Sequence, residues 1–231
     1  MRQKIYYLLA ICIGILPVNI GMVWYRLTHI SGFTISDMLT YPLLFGGGNI
    51  VLILLLNRFL LKKGIKEFNP GKSKWYWDIL AAVILTTSYF LLLYAERPVL
   101  GKILPQGHPP SQEVLNLMTS LANNPFYLAI WLGPVVWIGV ALFEEVSRVF
   151  FLNCLWYLNQ KRYWEWFAIL LVSISWGFMH FYQGPFGVVS VSLQGIVMGS
   201  YFYKFHRIWP LVISHALFDS FQIITFVLQV S

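Results

Sequence analysis

Long apolar runs separated by short polar breaks account for nearly the whole of this 231-residue chain. About 20 apolar residues, rising 1.5 Å each in a helix, cross a hydrocarbon core of about 30 Å, so runs of this length read as membrane spans. Seven spans are predicted, over residues 5–25, 38–61, 78–94, 126–157, 166–182, 185–203 and 208–230. The fourth is too long for a single crossing. Pro125 and the Gly133-Pro134 pair predict that its first turns form a separate or kinked piece. Gly46-Gly47-Gly48 predict a weak or bent place in the second span. Residues 111–121 have the pattern of a short amphipathic helix lying at a surface. Arg2 and Lys4 ahead of an apolar run imitate a signal peptide, but no A-x-A-like cleavage site follows, so the first span is expected to be retained. The expected fold is therefore all-α: a polytopic membrane helix bundle of about seven transmembrane spans, forming one integral membrane domain over residues 1–231.

Composition agrees with that pattern. Hydrophobic residues make up 58% of the chain and charged ones 11%, whereas a soluble domain carries about 25% charge. Ten tryptophans within an aromatic share of 18% suit anchors at membrane–water interfaces. The net charge of +7 invites a nucleic-acid reading, but its placement argues for topology instead. Arg2, Lys4, Arg58, Lys62, Lys63, Lys66, Lys72, Lys74, Lys161, Arg162, Lys204 and Arg207 fall on one side of the predicted stack. Arg26, Arg97 and Lys102 fall on the other, and Arg148 lies inside a span. The positive-inside rule then puts the N-terminus in the cytoplasm and the C-terminus outside. The basic side is expected to meet anionic lipid, and no nucleic-acid partner is expected. Cys12 and Cys154 lie in apolar runs with no disulfide or metal-ligand spacing.

Ionisable residues inside spans are expensive, and they mark functional sites more often than not. Glu144, Glu145 and Arg148 sit within the fourth run, His180 in the fifth, His215 and Asp219 in the seventh. Counting from the cytoplasmic end of each span, Glu144, Glu145 and Arg148 lie about 20, 18 and 14 Å deep, and His180 about 20 Å. His215 and Asp219 lie about 10 and 16 Å deep, so three separate helices bring such groups to one slab. His29 and His108 belong to outer loops and His206 to a cytoplasmic turn. Glu144 and Arg148 are four apart, Glu145 and Arg148 three apart, so the arginine can neutralise one carboxylate and leave the other able to take a proton. His215 and Asp219 are likewise four apart and share a helical face. Trp176, four before His180, can wall the same place. The plain alternatives are an internal salt bridge and hydrogen-bonded packing histidines. Ser147 is expected to bond to its own helix rather than act as a nucleophile. Gly184, Gly187, Gly195 and Gly199 read as a close-packing stripe.

In order, these residues form a Glu-Glu…Arg helix, an aromatic-x-x-x-His helix and a His-x-x-x-Asp helix. The triple, over residues 134–221, resembles the CAAX protease and bacteriocin-processing enzyme family, also called the Abi family, and Phe143–Arg148 and His215–Ser220 look especially like bacterial members. Residues 1–133 carry no motif of that family. Two intervening residues, Val146 and Ser147, stand where the family has three, so aligning on the Glu pair makes Glu144 the first carboxylate, while aligning on Arg148 puts Phe143 there. Trp176 replaces the usual Phe, and Asp219 stands where many members have Asn.

The resemblance implies an intramembrane glutamic endopeptidase, multi-pass in the bacterial cell membrane. It acts on a peptide or protein substrate, lipid-modified ones included. By the same likeness Glu144 and His180 activate a water, Glu145 and Arg148 position Glu144, and His215 with Asp219 stabilise the oxyanion. No cofactor is implied. A zinc protease is the second reading, since Glu144, His180, His215 and Asp219 are ligand types that zinc accepts, although no His-Glu-x-x-His spacing occurs. A proton-coupled transporter or a non-catalytic membrane protein on the same fold is the third, and no internal repeat favours transport.

Overall fold

The structure is a computed structural model that describes residues 2–17, 20–21, 34–104 and 112–230. Arg26, His29, His108 and the far end of the first predicted span lie outside the described residues. Helices α1 (Arg2–Gly14), α2 (Ile35–Leu60), α3 (Trp75–Ile103), α4 (Gln112–Ala122), α5 (Pro125–Leu158), α6 (Arg162–Met179), α7 (Gly184–Phe205) and α8 (Trp209–Val230) follow one another. No strand occurs among the described residues. Five of these helices, α2, α3, α5, α7 and α8, are long and apolar enough to cross a membrane. Helix α1 is apolar but shorter, and α6 opens on Arg162 and Glu165.

The distribution of polarity is that of a protein bathed in lipid. Leu44, Val51 and Phe59 of α2, Ile84 and Leu91 of α3, and Phe178 of α6 are exposed, while Asn49, Asp78, Glu96, Glu145 and Arg148 are buried. Inverted in this way, the molecule is an integral membrane protein: hydrocarbon solvates the outside, and polar groups retreat to the interior.

The long fourth run is one helix with a fault in it. Residues Trp131–Leu142 are π-helical, and Gly133 leaves helical geometry at φ −90°, ψ −108° just before Pro134. Proline removes a backbone donor and crowds the preceding turn, so the kink sits where the sequence predicts it. Regular α-helix resumes at Phe143, one residue before the acidic pair. The glycine triplet behaves differently from expectation. Helix α2 runs through it, with a π-helical stretch at Pro42–Gly46, and only Gly46 is pressed: a Cβ there would stand 2.5 Å from the Gly139 carbonyl oxygen. Gly139 in turn abuts Pro42, so α2 and α5 touch backbone to backbone at their two π-helical stretches.

Helices α6 and α7 form a tight hairpin. A Cβ on Gly177 would lie 2.4 Å from the Val188 carbonyl oxygen, one on Gly195 3.0 Å from Ser173, and one on Gly199 2.9 Å from Ile169. Of the predicted stripe, Gly195 and Gly199 thus serve close packing. Gly187 faces Gln183, and Gly184 turns the chain at φ 76°. Helix α4 forms as predicted and docks through Leu121 against Leu39 and Val135.

Candidate active site

Because consecutive helical residues point about 100° apart, the two carboxylates at the start of regular α5 part company. Glu145 is 0% exposed. Its Oε1 accepts from the Arg148 guanidinium, three residues on, and from His215 Nδ1 at 2.9 Å. Arg148 also reaches the Met198 sulfur and lies over the Trp176 ring at 5.4 Å. His215 Nε2 faces Asp219 Oδ2 at 3.5 Å, beyond a normal hydrogen bond. Acid and base alternate through Arg148, Glu145, His215 and Asp219, so no buried charge in the row lacks an opposite neighbour. The arginine thus pairs with Glu145, and Glu144 is the carboxylate it leaves over.

Glu144 is half-buried, and its Oε2 accepts the Trp176 indole N–H at 3.1 Å. Trp176 also holds the next group, since its carbonyl oxygen lies 3.0 Å from His180 Nδ1. A carbonyl can only accept, so Nδ1 carries the proton. A phenylalanine at 176 would leave Glu144 without the indole donor. Contrary to expectation, His180 stands at the C-terminal end of α6 rather than within the helix. It caps α6, and Phe181–Gln183 form a short 3₁₀ turn into α7. Gly184-Pro185 forces this early stop, because the left-handed glycine and the following proline cannot continue α6.

These groups surround one cavity of about 180 Å³. Glu144, Arg148, His180, His215 and Asp219 border it, and Glu145 lies behind the wall. At about 30 Å³ per water, the space holds about six waters or the atoms around one peptide bond. Phe186 and Met198, both of α7, line it and stand about 18 Å apart along the helix, so the cavity follows α7. Among the described residues, no group of three or more His, Cys, Asp or Glu could hold a metal ion.

Ser147 is buried and accepts a hydrogen bond from Asn49 Nδ2 at 3.0 Å, tying α2 to α5 rather than bonding to its own helix. Phe143, the residue an alignment on Arg148 would substitute for the first carboxylate, is core at 4% exposure. Two further features escaped the reading of the sequence. Asn49, a lone amide in an apolar run, was its own signal. Tyr89 of α3 borders the cavity from outside residues 134–221 and carries no sequence signal that separates it from a packing aromatic.

Comparison with known families bears on this constellation. Residues 126–221 match the family described as type II CAAX prenyl endopeptidase Rce1-like. That segment of the chain is similar to the Rce1-like CAAX protease family. All six residues singled out, from Glu144 to Asp219, fall inside it. Comparisons with curated proteins and with solved structures returned no match. The match supports a CAAX-type protease in the membrane, and a protease family implies a peptide or protein substrate.

Proposed function

We propose that this protease hydrolyses prenylated C-terminal peptides with a water activated by Glu144 and His180, without a metal. One observation carries the assignment: of two adjacent carboxylates only Glu144 borders the cavity, while Glu145 is enclosed between Arg148 and His215. A base must reach the proton it removes, and an enclosed carboxylate cannot. Glu144 takes a proton from water as the hydroxide adds to the scissile carbonyl carbon. The carbonyl oxygen gains the negative charge and is stabilised beside His215 and Asp219. Collapse of the tetrahedral adduct then expels the amine, which leaves with the proton held by Glu144. Trp176 and His180 keep the base and the water in register, while Glu145 and Arg148 fix the helix face from behind.

Zinc chemistry is the second reading by residue type alone: Glu144, His180, His215 and Asp219 line one cavity, but no three of them are placed to hold a metal ion. A transporter or an inactive scaffold accounts less well for a protease-family segment that contains Glu144, Glu145, Arg148, His180, His215 and Asp219. The test uses purified protein in liposomes and an internally quenched farnesylated peptide, with the same peptide lacking the farnesyl group. Wild type should cleave the farnesylated peptide, chelators should leave the rate unchanged, and Glu144→Gln should lower it by about 10²–10⁴ with unaltered melting. Loss of activity with chelator would transfer the site to zinc. Equal cleavage of both peptides would remove the prenyl requirement.

A further inference from the structure

Gln194 is a carboxamide in the middle of α7, a helix with no charge before Lys204. Gly187, Val191, Gln194 and Met198 follow one another at steps of three or four residues, so they share the helix face that borders the cavity. Gln194 is half-buried there and makes no hydrogen bond to another described residue, and neither of its amide atoms is enclosed. An amide without a partner is costly inside an apolar span, and leucine or methionine would occupy the position without that cost. Its partner is therefore sought in what the cavity receives.

Neighbouring contacts fix the level of this amide. Helix α6 runs antiparallel to α5, since Trp164 reaches the Leu155 carbonyl oxygen and Trp176 reaches Glu144. It runs antiparallel to α7 as well, since Gly177 abuts Val188 and Gly195 abuts Ser173. Helices α5 and α7 therefore run the same way. The Met198 sulfur meets Arg148, and one turn back along each helix stand Gln194 and Glu144. The amide is thus level with the carboxylate assigned to water activation, and both border one cavity.

In an extended peptide the N–H and C=O of one residue point to the same side. A carboxamide offers one acceptor and two donors, enough to meet both. We propose that Gln194 binds the main chain of the substrate at one residue beside the scissile bond. Its Oε1 accepts from that residue's N–H, and its Nε2 donates to the same residue's C=O. The pair holds the peptide extended along α7 with the scissile carbonyl at the level of Glu144. Gln194 then selects for backbone form, and a proline at the paired residue, which has no N–H, is rejected. This assignment rests on the hydrolytic reading above.

The test pairs Gln194→Met with esters in the farnesylated peptide, each replacing one backbone N–H near the scissile bond but not at it. In liposomes, Gln194→Met should raise KM about 10- to 30-fold on the all-amide peptide and change kcat by less than about threefold. An ester at the paired residue should raise the wild-type KM about 5- to 10-fold and leave that of Gln194→Met unchanged. Esters at other positions should affect both proteins alike. Equal losses in both proteins at every position would mean that the amide only hydrates the cavity. That result overturns the assignment while Glu144-dependent cleavage by wild type keeps the hydrolytic reading intact. An inactive wild type would remove both. If Gln194→Met melts early, the same comparison is made with Gln194→Asn, which keeps an amide but withdraws it by one carbon. Loss of the position-specific ester effect in Gln194→Asn supports the role, and its persistence overturns it.

Discussion

Glu144 and Glu145 are neighbours in sequence with unlike partners, and substitution should separate them. Glu145→Gln removes the anion that Arg148 faces in the interior, and breaking a buried ion pair costs roughly 3–5 kcal/mol. That variant should melt markedly earlier in detergent and lose part of its rate. Glu144→Gln keeps an oxygen for the Trp176 indole and should melt as wild type with cleavage abolished. Melting curves and initial rates on both variants check this; a normal melt with complete loss of rate in Glu145→Gln would exchange their roles. The six ionisable groups were legible in the sequence because charge inside an apolar run is conspicuous. Arg207 was legible only as a charge. It was counted toward topology, yet it is 8% exposed and ion-paired with Asp78, with a further bond of 2.7 Å to the Gly71 carbonyl oxygen. Tyr89 could not be read at all, since one aromatic among many gives no sign that it borders the cavity.

Among the elements, the α6–α7 hairpin holds Trp176 and His180 in place, and its glycines set how closely the helices approach. Gly177→Ala should force α6 away from the Val188 carbonyl oxygen, with a destabilisation of roughly 1–3 kcal/mol. Because Gly177 adjoins Trp176, the cleavage rate should fall with the melting temperature. Gly48, with nothing within 4 Å of its would-be Cβ, is the control: Gly48→Ala should leave both unchanged or raise stability by up to about 1 kcal/mol. If Gly177→Ala melts as wild type, the hairpin can widen freely and positions neither residue. Proline and glycine punctuation made the α5 kink readable, because Gly133-Pro134 interrupts an otherwise apolar run. The end of α6 was harder. Phe178, Met179, Phe181 and Tyr182 continue the apolar pattern past His180, and only Gly184-Pro185 marks the turn.

For the whole molecule, connections assigned to one side by their basic residues also touch one another. Gly71 N–H donates to the His206 carbonyl oxygen at 2.9 Å, Tyr157 reaches Glu67 at 3.1 Å, and Tyr203 reaches Glu165 at 2.9 Å. Charge counting groups loops by side without saying which meet; the contacts supply that. Single cysteines at Lys66, Arg162 and Lys204 should therefore label only from the cytoplasm, and one at Lys102 only from outside, in a background lacking the exposed Cys12. Labelling of position 66 from outside intact cells would reverse the orientation. The alternating row of Arg148, Glu145, His215 and Asp219 has a consequence for the bilayer itself. With Glu144 as the base, its negative charge disappears as an equal one forms on the substrate oxygen. The helices enclose the same total charge throughout turnover, and only its position shifts, within a space of about 180 Å³. Creating a charge in hydrocarbon is far costlier than relocating one among fixed counter-charges. The reaction thus runs at constant charge, and the surrounding lipid has no new ion to solvate at any step.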